Sequence, residues 1–203
     1  MMRIGIDFDN TIVCYDNAIK ELSGKLCGLP DDLPREKLHL KIFLKDQKRD
    51  QEWTSFQGEL YGPGMKLATP FNGVIEAMIA LQENGHTLNI ISHRSRFPYA
   101  GTMYDLHSFA KRWIQDNLKE HGLFLNDSDV YFHEEKHQKI SRAINLKVDA
   151  FVDDLVEILD EISTQLPKCK TLHFCPGISE IESDGKHLRR RRWSDIEESL
   201  GGI

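Results

Sequence analysis

The stretch Arg3-Ile-Gly-Ile-Asp-Phe-Asp-Asn-Thr11 begins as a short apolar run rich in β-branched residues and ends in two carboxylates, Asp7 and Asp9. Such a run reads as a buried strand. In an open parallel sheet, ligands sit in the crevice beyond the carboxyl ends of the strands. Asp7 and Asp9 stand just past such an end, so they face that crevice. Taken alone, Asp9-Asn-Thr11 reads equally well as a polar turn leaving the sheet. The other strand ends decide between the two.

Four further segments have strand character: Thr87-Leu-Asn-Ile-Ile-Ser92, Val130-Tyr-Phe132, Ala150-Phe-Val152 and Thr171 to Phe174. Helical patterns separate them. Phe71 to Glu83 carries Val74, Ile75, Met78, Ile79 and Leu81 largely on one face, and Asn84-Gly85 stops it. Tyr104 to His121 repeats apolar residues at helical spacing up to Gly122. Lys136 to Asn145 and Leu155 to Gln165 are shorter helices. Strands alternating with helices imply an α/β fold, a doubly wound parallel sheet.

Residues 15 to 68 break the rhythm, with helix-like stretches at 15–26, 35–48 and 51–60 and no convincing strand. The division that follows is an α/β core of residues 1–13 and 69–203, with a small α-helical insertion over 14–68. Trp53, Phe56 and Tyr61 are the insertion's large aromatics, expected to pack its core.

The remaining strand ends are as polar as the first. The second strand ends in Ser92-His93-Arg94, and the fourth in Asp153-Asp154. Lys139 stands at the start of the helix before the fourth strand. Carboxylates gathered this closely repel one another unless a cation sits among them. Oxygen ligands and partial hydration suit magnesium.

These segments resemble the four motifs of the haloacid dehalogenase superfamily. Ile4 to Thr11 matches the first motif, an aspartate, any residue and a second aspartate, then any residue before threonine or valine. Ser92 matches the second. Lys139 is chosen for the third over Lys136, because it leads into the apolar spacing of Ile140, Ala143 and Ile144. Phe151-Val-Asp-Asp154 matches the fourth. The resemblance covers residues 3 to 13 and about 70 to 175, and it implies a Rossmann-like core with the helical insertion as a cap.

The resemblance also implies roles. Asp7 is the nucleophile that forms an aspartyl-phosphate. Asp9 protonates the leaving oxygen and then deprotonates the attacking water. The loop after Asp7, with Asn10 and Thr11, binds phosphate together with Ser92 and Lys139. Mg2+ is held by Asp7, the carbonyl of Asp9, Asp153 and Asp154. His93 and Arg94 leave the sheet at the functional edge and are expected to bind the rest of the substrate. Carbon–halogen cleavage needs no acid for a departing alkoxide, so the presence of Asp9 points to phosphate esters. The expectation is a phosphatase, monomer or homodimer, acting on a small phosphorylated metabolite such as a sugar phosphate or nucleotide. A phosphotransferase and a non-catalytic phosphate- or metal-binding regulator are the alternatives. A receiver domain also uses an acidic crevice, but with its acidic pair first and its phosphorylated aspartate later, the reverse of the order here.

Composition narrows the field. The chain has 203 residues, 40% hydrophobic and 29% charged, as an ordinary globular protein does. Its net charge of −6 disfavours nucleic acid. No apolar run approaches the roughly 20 residues that span a bilayer, and the N-terminus lacks the pattern of a signal peptide, so a cytoplasmic protein with no membrane partner is expected. Cys14, Cys27, Cys169 and Cys175 form no CxxC pair and read as small buried hydrophobes. His133 and His137 have helical metal-ligand spacing but no evident third ligand. The run Arg189 to Arg192 reads as a solvated turn, with Ser194 and Glu197 as a capping box for a last helix.

Overall fold

The computed structural model describes residues 1–177 and 186–201. The chain forms two compact units. The first comprises Met1–Val13, Pro70–Arg94 and the residues from Leu118 onward; the second comprises Cys14–Thr69 and Ser95–Asn117.

The first unit is built on a six-stranded parallel sheet. Its strands are β1 (Arg3–Ile6), β4 (Thr87–His93), β5 (Val130–His133), β6 (Ala150–Asp153), β7 (Lys170–Phe174) and β8 (Leu188–Arg190). Two-residue strands β2 (Val13–Cys14) and β3 (Thr69–Pro70) pair separately. The large sheet runs in the order β5-β4-β1-β6-β7-β8. From β1 the chain steps outward through β4 to β5, then returns to the other side of β1 to lay down β6, β7 and β8. The order therefore reverses between β1 and β6, and at such a switch point the connections leave in opposite directions and open a crevice. The register there pairs Ile6 with Val152, and β1 pairs Ile6 with Ile90 on its other side.

The sheet is flanked by α4 (Val74–Glu83), α6 (Lys136–Leu146), α7 (Val156–Gln165) and α8 (Trp193–Gly201). Ile91, Ala143, Val148, Phe151, Ile158, Leu159 and Ile162 form one buried cluster between α6, α7 and the strands. Gly5 is required beneath it: a Cβ there would meet the Phe151 ring at 2.4 Å. On α8, Trp193 is fully buried, tilted against Phe174, whose ring in turn meets Phe71 edge-on.

The second unit contains α1 (Asp16–Ser23), α2 (Lys37–Asp46), α3 (Asp50–Tyr61) and α5 (Leu106–Asn117). Trp53 and Phe56 are buried and stack on each other, and Tyr15 meets Tyr61 edge-on. Trp113 of α5 donates its indole N–H to the Ala68 carbonyl at 3.0 Å, which ties the two chain segments of this unit together. The helix α5, expected within the α/β core, groups with the helical unit instead.

Three other expectations are corrected. Arg189 and Arg190 lie in the edge strand β8 rather than a turn, where charged side chains blunt an exposed edge. Arg190 folds back to donate to Ser199 Oγ at 2.7 Å and the Asp195 carbonyl at 3.2 Å. Ser194 lies inside α8 and forms no capping box; Asp195 in the first turn accepts from the Arg192 guanidinium at 2.8 Å instead. Cys27 is exposed, while Cys169 and Cys175 are buried. No helix among the described residues is long and apolar enough to cross a membrane.

Candidate active site

The carboxyl ends of β1, β4 and β6 meet at the switch point, and each delivers one polar side chain. Asp7 follows β1 directly, its N–H donating to the Val152 carbonyl at 2.9 Å, so it leaves the sheet beside Asp153. The turn after it is tight. Ile12 and Val13 both donate N–H to the Phe8 carbonyl at 3.0 Å, and Asn10 adopts a left-handed φ of 61°, a conformation asparagine tolerates better than most residues. The strand ends at Ile6, immediately before the first carboxylate.

Ser92, near the end of β4, donates its hydroxyl to Asp7 Oδ1 at 3.0 Å. Lys139, in the first turn of α6, reaches the same oxygen at 2.7 Å and Asp153 Oδ2 at 2.6 Å. Its ammonium is 2% exposed, so the two carboxylates stand in for the water it gives up. Lys136, the other candidate lysine, is exposed and pairs with Glu157. Asp153 is held from its second oxygen by the Leu155 N–H at 3.0 Å. Asp154 is fixed through its backbone: His173 of β7 lies with Nε2 3.2 Å from the Asp154 carbonyl.

Electrostatics follow from this crowding. Burial pushes the Asp7 carboxyl up to about 7; Lys139 pulls the other way, while Asp153 and Asp9 add to the rise. For Lys139, burial alone favours the neutral amine, but Asp153 and Asp7 outweigh it and hold the ammonium well above the ordinary lysine value. Asp7, Asp153 and Asp154 offer ligand oxygens that all lie within 4.8 Å of one another. Three hard oxygen donors, gathered where anionic charge exceeds the one lysine that answers it, fit a divalent cation.

The remaining sequence-derived residues fall differently. Asp9 and Arg94 form an ion pair, NH1 to Oδ1 at 2.6 Å. Arg94 is buried, whereas His93 before it is exposed. The Asn10 N–H is taken by the Val13 carbonyl at 3.0 Å, so it turns the loop rather than pointing at a ligand. The Thr11 hydroxyl is buried without a hydrogen-bond partner among the described residues. The Thr11 carbonyl is anchored instead, accepting the Trp193 indole N–H at 3.1 Å. Trp193 and His173 were not among the residues expected at the site. The signals for them were a tryptophan opening the last helix and a histidine on the strand next to the acidic pair, neither specific alone.

No protein-family model matches the chain, and no curated relative does. Solved structures do. A candidate phosphatase from Clostridium difficile superposes with a TM-score of 0.66 at 13% identity, over 98% of each chain. A haloacid dehalogenase family hydrolase from Deinococcus radiodurans, with bound phosphate and sodium, gives 0.58 at 13% identity, over 98% of this chain and 95% of that one. A dehalogenase with an intermediate complex gives 0.62 at 11% identity, over 100% of this chain and 98% of that one. The chain has the α/β, Rossmann-like fold of the haloacid dehalogenase superfamily.

Proposed function

We propose that the protein is a magnesium-dependent phosphohydrolase that cleaves a small phosphomonoester, a sugar phosphate or a nucleotide, through a phosphorylated Asp7. The observation that carries this reading is the convergence of Asp7, Asp153 and Asp154 on one point, with Ser92 and Lys139 both directed at Asp7.

In this reading an oxygen of Asp7 bonds to phosphorus as the bond from phosphorus to the leaving oxygen breaks. Asp9, two residues on, gives its proton to that oxygen. Asp9 then takes a proton from the water that attacks phosphorus, and inorganic phosphate leaves with Asp7 restored. Lys139 and Ser92 place positive charge and a hydroxyl beside the carboxylate, which lowers the cost of bringing one anion against another. Asp7, Asp153 and Asp154 would hold Mg2+, which when bound supplies further charge neutralisation for the phosphoryl oxygens.

Dehalogenases share the fold, so the fold does not choose the bond that breaks. Asp9 favours the phosphate ester. A departing alkoxide needs a proton, a departing halide does not, and a second carboxylate beside the first is useful only to the former.

The test is turnover of 4-nitrophenyl phosphate with and without Mg2+. Asp7→Asn is expected to abolish phosphate release while leaving the far-UV circular dichroism intact. Undiminished release would remove Asp7 as nucleophile, and activity that survives complete metal removal would remove the metal from the reading.

A further inference from the structure

We propose that Arg94 is a positioning residue for Asp9: its guanidinium fixes the carboxylate that exchanges a proton with the leaving group. The proposal deepens the phosphatase reading and rests on it.

Three observations carry it. The first is where Arg94 starts. It lies two residues past Ser92, and its backbone N–H donates to the His133 carbonyl at 2.7 Å, so its Cα is fixed by the end of β5. The second is where the side chain goes. The guanidinium carbon lies 5.8 Å from the centroid of the Phe8 ring, and Phe8 is itself set edge-on against Phe132. The stem is thus packed along buried aromatic surface, and the side chain is 3% exposed. The third is where it ends, with NH1 2.6 Å from Asp9 Oδ1.

A substrate-binding arginine must present its fork to the solvent from which the ligand comes. Arg94 is buried and its NH1 is directed at a residue of its own chain. Asp9 is 17% exposed, so the carboxylate is the partly accessible member of the pair. A charge pair this dry is strongly oriented, because breaking it strands an ion out of water. Proton transfer to a leaving oxygen needs a carboxylate held within hydrogen-bond reach, and small misplacements cost orders of magnitude in rate. Asp9 stands on the turn that follows β1, and Arg94 reaches its carboxylate from the end of β4, a different strand.

The experiment compares wild type, Arg94→Met, Arg94→Lys, Asp9→Ala and the double variant Asp9→Ala/Arg94→Met on a series of aryl phosphates, from 4-nitrophenyl to phenyl, in Mg2+. Arg94→Met is expected to lower kcat/KM for phenyl phosphate by about 10- to 100-fold, and less for the 4-nitrophenyl ester, whose leaving group departs without much help. Inhibition by inorganic phosphate should stay within about twofold, since phosphate is not what Arg94 holds. Arg94→Lys keeps the charge but not the fork, and should recover part of the loss. In the Asp9→Ala background Arg94→Met should cost nothing more.

Weaker phosphate inhibition with kcat unchanged would make Arg94 a substrate ligand and overturn the proposal. So would a loss equal across the leaving groups, or one that adds in full to that of Asp9→Ala. Should Arg94→Met fail to fold, Arg94→Lys on the same ester series decides by the same criterion. Wild type that releases no phosphate from any ester would defeat the phosphatase reading itself, and this proposal with it.

Discussion

Lys139 Nζ stands between Asp7 Oδ1 and Asp153 Oδ2, 2.7 Å from one and 2.6 Å from the other, and so couples the ends of two adjacent strands through a single buried charge. Asp7 and Asp153 come from segments more than a hundred residues apart, and α6 brings the ammonium to both.

Removing that charge is expected to be costly. Lys139→Met leaves two buried carboxylates facing each other, and breaking a buried pair costs about 3–5 kcal/mol. For a chain of this size that corresponds to a melting temperature lowered by roughly 6–20 °C in EDTA. Adding Asp7→Asn to Lys139→Met should restore part of it, read by thermal denaturation. A single variant as stable as wild type would show that the charges are compensated elsewhere.

The metal-free protein should lose stability as pH rises through the acid range. Asp7 in the folded chain binds its proton up to about pH 7, whereas unfolded it would release it near the ordinary aspartate value of 3.8. Between those values the folded state holds more protons, so the contribution of this group to unfolding free energy falls as pH increases. Denaturant melts in EDTA from pH 4 to 7 should show this slope, and Asp7→Asn should flatten it. If Asp7 holds Mg2+ as proposed, the ion competes with the same proton, and its stabilising effect should be larger at pH 8 than at pH 5.

Trp193→Phe keeps the ring packed against Phe174 but removes the donor to the Thr11 carbonyl. Leaving that buried acceptor without its partner costs about 1–3 kcal/mol. The turn that carries Asp9 loses its anchor, so kcat should fall along with stability. Melting curves and steady-state turnover on the same preparation check both; stability lost with kcat unchanged would show that the turn holds its shape without α8.

Gly5→Ala tests the close packing under β1. The new methyl meets the Phe151 ring, and Phe151 is fully buried in the α6–α7 cluster. Overpacking of this kind costs about 1–3 kcal/mol. Phe151→Leu in the same chain should relieve part of the strain, measured as recovery of the denaturation midpoint.

The parallel sheet was readable because each buried strand announces itself as an apolar run with polar residues behind it, at Asp7, Ser92 and Asp153 alike. The strand β8 was not. Leu188-Arg-Arg190 has neither an apolar run nor alternation, and it becomes a strand only through pairing with β7. The helix α5 was found by its spacing, but its membership in the helical unit depends on Trp113 reaching Ala68, which no local pattern encodes. The same holds at the site. Asp7, Ser92, Lys139 and Asp153 carry their residue types and places openly. The partners of Asp9 and of Thr11 lie 85 and 182 residues away in the chain, and only folded coordinates bring Arg94 and Trp193 to them.

The helical unit is assembled from two separate lengths of chain, Cys14–Thr69 and Ser95–Asn117, and that has a practical side. It cannot be excised, grafted or exchanged as one cassette. Deleting the longer length would strand α5 with Leu106, Ala110, Trp113 and Ile114 stripped of their cover. A chimaera that borrows this unit, or evolution trading it for another, must cut the polypeptide at four points, and both excursions must travel together.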